Sequence, residues 1–117
     1  AVSLDGSRLA LVDQEKYGGT IEALTIQDGA WREVSLKPSG ERLTSVGWAA
    51  DGKGFYVTGY GLNSYDLLHV TPAGKTQPLM RTGRRQWFVL PRPSPDGKHL
   101  AFDTQTFDSN VWIIDSF

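Results

Sequence analysis

The chain has 117 residues, 39% hydrophobic and 21% charged, with a net charge of −1, the profile of one modest soluble globular domain. That charge offers no electrostatic basis for binding nucleic acid or an anionic membrane, and no apolar run approaches the ~18 residues of a membrane span. Zero cysteines exclude disulfides, thiolate zinc sites and a cysteine nucleophile, and fit any compartment.

In chain order, Ser3-Leu4-Asp5-Gly6-Ser7-Arg8-Leu9-Ala10-Leu11 is the first of three versions of one phrase. It returns as Ala49-Ala50-Asp51-Gly52-Lys53-Gly54-Phe55-Tyr56-Val57 and as Ser94-Pro95-Asp96-Gly97-Lys98-His99-Leu100-Ala101-Phe102. The steps are 51 − 5 = 46 and 96 − 51 = 45, a period characteristic of four-stranded propeller blades. Asp can hydrogen-bond the backbone two residues on and Gly accepts positive φ, so Asp5-Gly6, Asp51-Gly52 and Asp96-Gly97 read as structural turns rather than ligands or acids.

Each phrase leads into a β-type run: Arg8 to Val12, Gly54 to Gly59, and His99 to Asp103. A second run follows at Thr20 to Ile26, Tyr65 to Val70, and Asn110 to Asp115. Alternating polarity in the first two copies predicts strands with one buried face, whereas Val111-Trp112-Ile113-Ile114 predicts a strand covered on both. Turns at Gln27-Asp28-Gly29 and Pro72-Ala73-Gly74-Lys75 introduce third strands, Trp31 to Leu36 and Thr76 to Arg81. Fourth runs, Arg42 to Trp48 and Gln86 to Arg92, lead back into the phrase, and no segment has helical periodicity or caps.

The expected fold is therefore all-β: antiparallel four-stranded blades, about two and a half of them. A partial blade covers 1–36, a full one 42–81 and a partial last one 86–117. The opening residues start inside a repeat, so the chain reads as a piece of a larger protein. Trp31, Trp48 and Trp112 read as core, since stacked sheets need such volume.

No constellation for catalysis emerges. His69 and His99 have no closely spaced partner ligand, carboxylates sit singly on turns, and no Gly-x-Ser-x-Gly elbow, P-loop or calcium loop is present. Gly59-Tyr60-Gly61-Leu62-Asn63-Ser64 begins like a dinucleotide loop but lacks the third Gly and opens no helix. The reading is of no metal, no cofactor and no enzyme in this chain. With the fourth run innermost, the topology gathers Tyr17, Tyr60, Asn63, Arg84 and Arg85 on one loop rim, with Trp87 nearby. Arg and aromatic side chains are favoured at protein interfaces, so this rim is the candidate binding surface for a protein or peptide.

The third phrase, Ser94 to Phe102, resembles the repeat of bacterial TolB-type, WD-like β-propellers, and Trp48-Ala49-Ala50-Asp51-Gly52-Lys53 looks like a weaker copy. The ending, with Ser109-Asn110-Val111-Trp112 shortly before Phe117, resembles propellers attached to bacterial serine/threonine protein kinases and winged-helix regulators. That resemblance implies a six- or seven-bladed ring of roughly 250 to 320 residues, a non-catalytic sensor or interaction role, and a kinase or DNA-binding domain upstream. Prolyl-oligopeptidase-like hydrolases and periplasmic TolB-type partner-binding proteins carry similar repeats and stand as alternatives. A cytoplasmic or an extracytoplasmic location is left open. Open blade edges predict that the isolated chain self-associates.

Overall fold

The computed structural model describes residues 1–13, 20–35, 42–83, 85–106 and 111–113. Among these the fold is all-β. β1 (Arg8–Asp13), β2 (Thr20–Thr25) and β3 (Trp31–Ser35) form a first antiparallel sheet in chain order. β4 (Arg42–Trp48), β5 (Phe55–Tyr60), β6 (Tyr65–Val70) and β7 (Thr76–Thr82) form the second, and β8 (Gln86–Pro93) with β9 (Leu100–Thr106) the third. Every step within a sheet is to the sequence neighbour, the pairing that short turns permit.

The repeated phrase folds the same way three times. Gly6, Gly52 and Gly97 take φ of 72°, 66° and 69°, a left-handed conformation in which a Cβ would be strained. The amides of Gly6, Gly52 and Gly97 each donate to the carbonyl three residues back, Ser3, Ala49 and Ser94, at 2.9 Å. Val2 bridges Leu9, and Ser3 N donates to Arg8 O at 2.8 Å, as Ala49 N does to Gly54 O. Residues 1–3 thus hold the place beside β1 that the end of β4 holds beside β5.

The three sheets stack face to face in an open row. One core joins Ala10, Ile21 and Val34 of the first sheet to Leu43, Trp48, Phe55, Val57, Leu68 and Val70 of the second. A second core joins Tyr65 and Leu67 to Phe88, with Trp87, Leu100 and Phe102 packed against it. Successive residues of β6 therefore serve opposite cores, so this strand is buried on both faces. At ~1.5–3 kcal/mol per fully buried large apolar side chain, these two layers are the main favourable contribution to folding.

Three expectations change. The doubly covered strand is β6, not Val111–Ile114: Val111, Trp112 and Ile113 form no strand and are exposed, Trp112 at 86%, and Ile114 lies outside the described residues. Nothing among the described residues lies beside β9 on its outer side to bury them. Trp31 is also not core. It opens the edge strand β3 and is 57% exposed, on the face turned away from the second sheet. Trp48, the third expected core tryptophan, is buried against Phe55 with ring centroids 4.7 Å apart. Finally, the third sheet has two strands, not three, among the described residues.

Candidate functional site

Two ends of the sheets can be distinguished. The Asp-Gly turns lie at one, and their carboxylates are occupied locally. The Asp5 carboxylate accepts from Ser3 Oγ at 2.7 Å, from Ser7 N at 3.0 Å and from Ser7 Oγ at 2.7 Å. Asp96 accepts from Ser94 Oγ and from Lys98 N, and Asp51 accepts from Lys53 N at 2.9 Å. The Ser3 hydroxyl, then the Ser7 backbone N–H and hydroxyl, hold Asp5 well below the usual carboxylate range. Asp96 is lowered by the Ser94 hydroxyl and then the Lys98 N–H. Such ions make stiff turns and have little left to offer a ligand.

The opposite end is the loop rim singled out in the sequence. Arg42, Tyr60, Tyr65 and Thr82 lie abreast across the second sheet, because each pairs with the next in register. The Tyr60 ring meets Tyr65 edge-on at 4.6 Å, and Tyr65 in turn lies 6.1 Å from Phe88 of the third sheet. Below it the Tyr65 hydroxyl bonds Thr44 Oγ1, which bonds Thr58 Oγ1 at 2.9 Å, so the ring is held from beneath by a half-buried and a buried hydroxyl. Tyr60 and Asn63 are exposed on the β5–β6 hairpin, and Arg85 is exposed in the β7–β8 connection. Thr82 Oγ1 closes that connection by donating to Gln86 O at 2.7 Å. Trp87 is half-buried against the second core, and its Nε1 donates to Gln105 Oε1 at 2.8 Å across the β8–β9 pair. Tyr17 and Arg84 lie outside the described residues. The rim is thus an aromatic and amide surface on a rigid base.

A second surface was not anticipated. A cleft of about 580 Å³ opens between residues 1–4, the end of β4 and the second half of β8. Its wall is bent by a β-bulge, because Val89 pairs with Asp103 but Arg92 with Ala101. The additional residue is Leu90, the one described non-glycine residue with positive φ, at 54°, and it is 53% exposed. A leucine in this conformation costs roughly 1–2 kcal/mol, yet its side chain is turned outward with Val2 and Leu4, both exposed in the same cleft. Arg92 contributes a guanidinium there. The sequence signal was Pro91 inside a β run, since Pro in a strand marks a bulge or an edge.

The remaining buried charge is structural. Asp66, fully buried on β6, takes a two-pronged ion pair from Arg81, Nε at 2.9 Å and Nη2 at 2.8 Å. Among the described residues no group of three or more His, Cys, Asp or Glu is placed to hold a metal ion, and no helix is long and apolar enough to cross a membrane. The sequence matches no known family model and no curated protein.

Proposed function

We propose that this chain is the C-terminal part of a bacterial TolB-like β-propeller that acts as a non-catalytic interaction or sensor module. The fold supports this reading through three successive antiparallel sheets, stacked face to face and each carrying the same Asp-Gly turn. The likeness of residues 109–117 to kinase-linked propellers points to the regulatory domain of a serine/threonine kinase or transcriptional regulator. Its ligand is a protein or peptide.

The observation that carries the binding role is the cleft at Leu90. Strained backbone conformations persist where a side chain must be presented, and an exposed leucine held in one is a poor choice for stability alone. With Val2, Leu4 and Arg92 beside it, the cleft offers an apolar floor next to a guanidinium, complementary to an extended segment with apolar side chains and a carboxylate. The loop rim with Tyr60, Asn63 and Arg85 is the second contact surface.

Selection of a displayed random-peptide library on the 117-residue chain, followed by calorimetric titration of the enriched peptides, tests this. Peptides bearing apolar residues and an acidic group should bind, and Leu90→Asp should weaken them at least about tenfold, ~1.4 kcal/mol. Enrichment of no binder, or affinities indifferent to both Leu90→Asp and Tyr60→Ala, would refute the assignment.

A further inference from the structure

The repeat places a cleft wherever an Asp-Gly turn of one sheet overhangs the preceding sheet. The first, of about 330 Å³, lies between Ala23 and Arg32 of the first sheet and Gly52-Lys53 of the second. The next, of about 340 Å³, lies between Tyr56, His69 and Gln77 of the second sheet and Lys98-His99 of the third. Lys53 and Lys98 stand two residues after their aspartates, and Ala23 and His69 stand eighteen after theirs, so the two clefts correspond position by position.

They differ in how their cations are engaged. In the first, Arg8 leans over the Trp48 indole, 4.4 Å from its centroid, and Arg32 Nη2 donates to Pro72 O at 3.1 Å. The place of Arg8 is taken in the second sheet by Gly54, and His69 Nε2 lies 3.1 Å from where a Cβ on Gly54 would be. His69 contacts the Tyr56 ring, and among the described residues the side chains of His69, Lys98 and His99 make no hydrogen bond or ion pair. Two histidines that are thirty residues apart in sequence therefore line one cleft.

We propose that this cleft binds a phosphate- or sulfate-type oxyanion. Its polar side chains are all capable of donating: Tyr56 from β5, His69 from β6, Gln77 from β7, and Lys98 and His99 from the turn. No carboxylate lines it. The turn's own acid, Asp96, is directed into the turn by Ser94 and the Lys98 N–H. An anion there meets the Lys98 ammonium and two imidazoles able to donate an N–H.

Sulfate is the suitable probe, because its charge does not change near neutral pH. Titrated into the 117-residue chain and followed by imidazole and amide NMR shifts, it should move His69, His99 and the Lys98 amide together along one saturable curve. The double variant His69→Ala/His99→Ala, checked for an unchanged melting transition, should weaken binding about tenfold, and Lys98→Met should do the same. Phosphoserine binding like sulfate would mark a phosphoester-bearing partner as the source, whereas sulfate alone would mark a free ion. Shifts spread evenly over all basic residues, or a double variant that binds sulfate as tightly as the parent chain, would overturn the site.

Discussion

A β-carbon on Gly47 would lie 2.2 Å from the carbonyl oxygen of Pro91. β4 and β8, of the second and third sheets, therefore meet backbone to backbone at this point. Since the obstructing atom is main chain, it cannot swing aside as a side-chain tip would. Gly47→Ala should destabilise the chain by about 2–3 kcal/mol, the usual range for forced overpacking. Urea unfolding checks this, with Gly83→Ala, open on all sides, as the control.

The three turns contain their own mutant series. Ser3 and Ser94 each supply two bonds that Ala49 cannot: Oγ donates to the Asp carboxylate and accepts the amide of the fifth residue on, Arg8 at 2.9 Å and His99 at 3.0 Å. Ala49→Ser should stabilise the second turn by about 1 kcal/mol, and Ser94→Ala should cost about as much. Opposite shifts in the urea midpoint are the expected reading.

Acid should act first on these same turns. Asp5 and Asp96 are lowered in the folded state, so below the unfolded carboxylate value near ~3.9 the unfolded chain takes up protons first. Their contribution is present above that pH and is lost as pH falls through the folded values. Thermal melts should be level from pH 7 to about 5 and decline below about 4. Ser3→Ala/Ser94→Ala should flatten that decline, since the serine hydroxyls are the largest cause of both shifts.

The Asp66–Arg81 pair should be costly to break from one side. Arg81→Met removes a two-pronged charged donor from a fully buried carboxylate, and about 2–3 kcal/mol of stability should go with it. Asp66→Asn/Arg81→Met should recover part of that loss, because the remaining group is then neutral. A double-mutant cycle by urea unfolding gives the coupling directly.

Val2, Leu9, Leu24 and Trp31 pair one with the next across the first sheet. The corresponding row in the second sheet, Trp48, Phe55, Val70 and Thr76, is covered by the first. The same geometry thus leaves the first row uncovered, and the isolated chain should associate through it and through the free sheet edges. Light scattering on a size-exclusion column should report more than a monomer at high concentration, and Trp31→Gln should shift the mass downward. A strictly monomeric chain up to high concentration would contradict this.

Leu90 should show a stability–binding conflict. Asn tolerates the left-handed conformation better than Leu, so Leu90→Asn should be neutral or stabilising by about 0.5 kcal/mol. The same substitution should weaken peptide binding in the cleft. Parallel loss of stability and affinity would instead make Leu90 a packing residue.

Much of the strand layout could be read directly. The runs at Arg8, Thr20, Trp31, Arg42, Tyr65, Thr76 and Gln86 begin where β1 to β4 and β6 to β8 begin, because Asp-Gly and Pro/Gly turns punctuate the chain locally. Trp31 and Trp112 show where such reading stops. An apolar strand residue is buried only if another sheet covers its face, and nothing in its own neighbourhood says whether one does. The candidate surfaces divide in the same way. Tyr60, Asn63 and Arg85 follow from hairpin order, whereas the Leu90 bulge and the His69–His99 cleft depend on how one sheet sits upon another.

By itself, then, the sequence determined the repeat, the turns and the antiparallel order, since these rest on φ preferences and hydrogen bonds spanning only a few residues. Only the tertiary structure decided that β6 serves two cores, that Gly47 admits β8, and that two distant histidines share a cleft. Those relationships arise from face-to-face packing between sheets, where burial depends on residues about forty-five positions away along the chain.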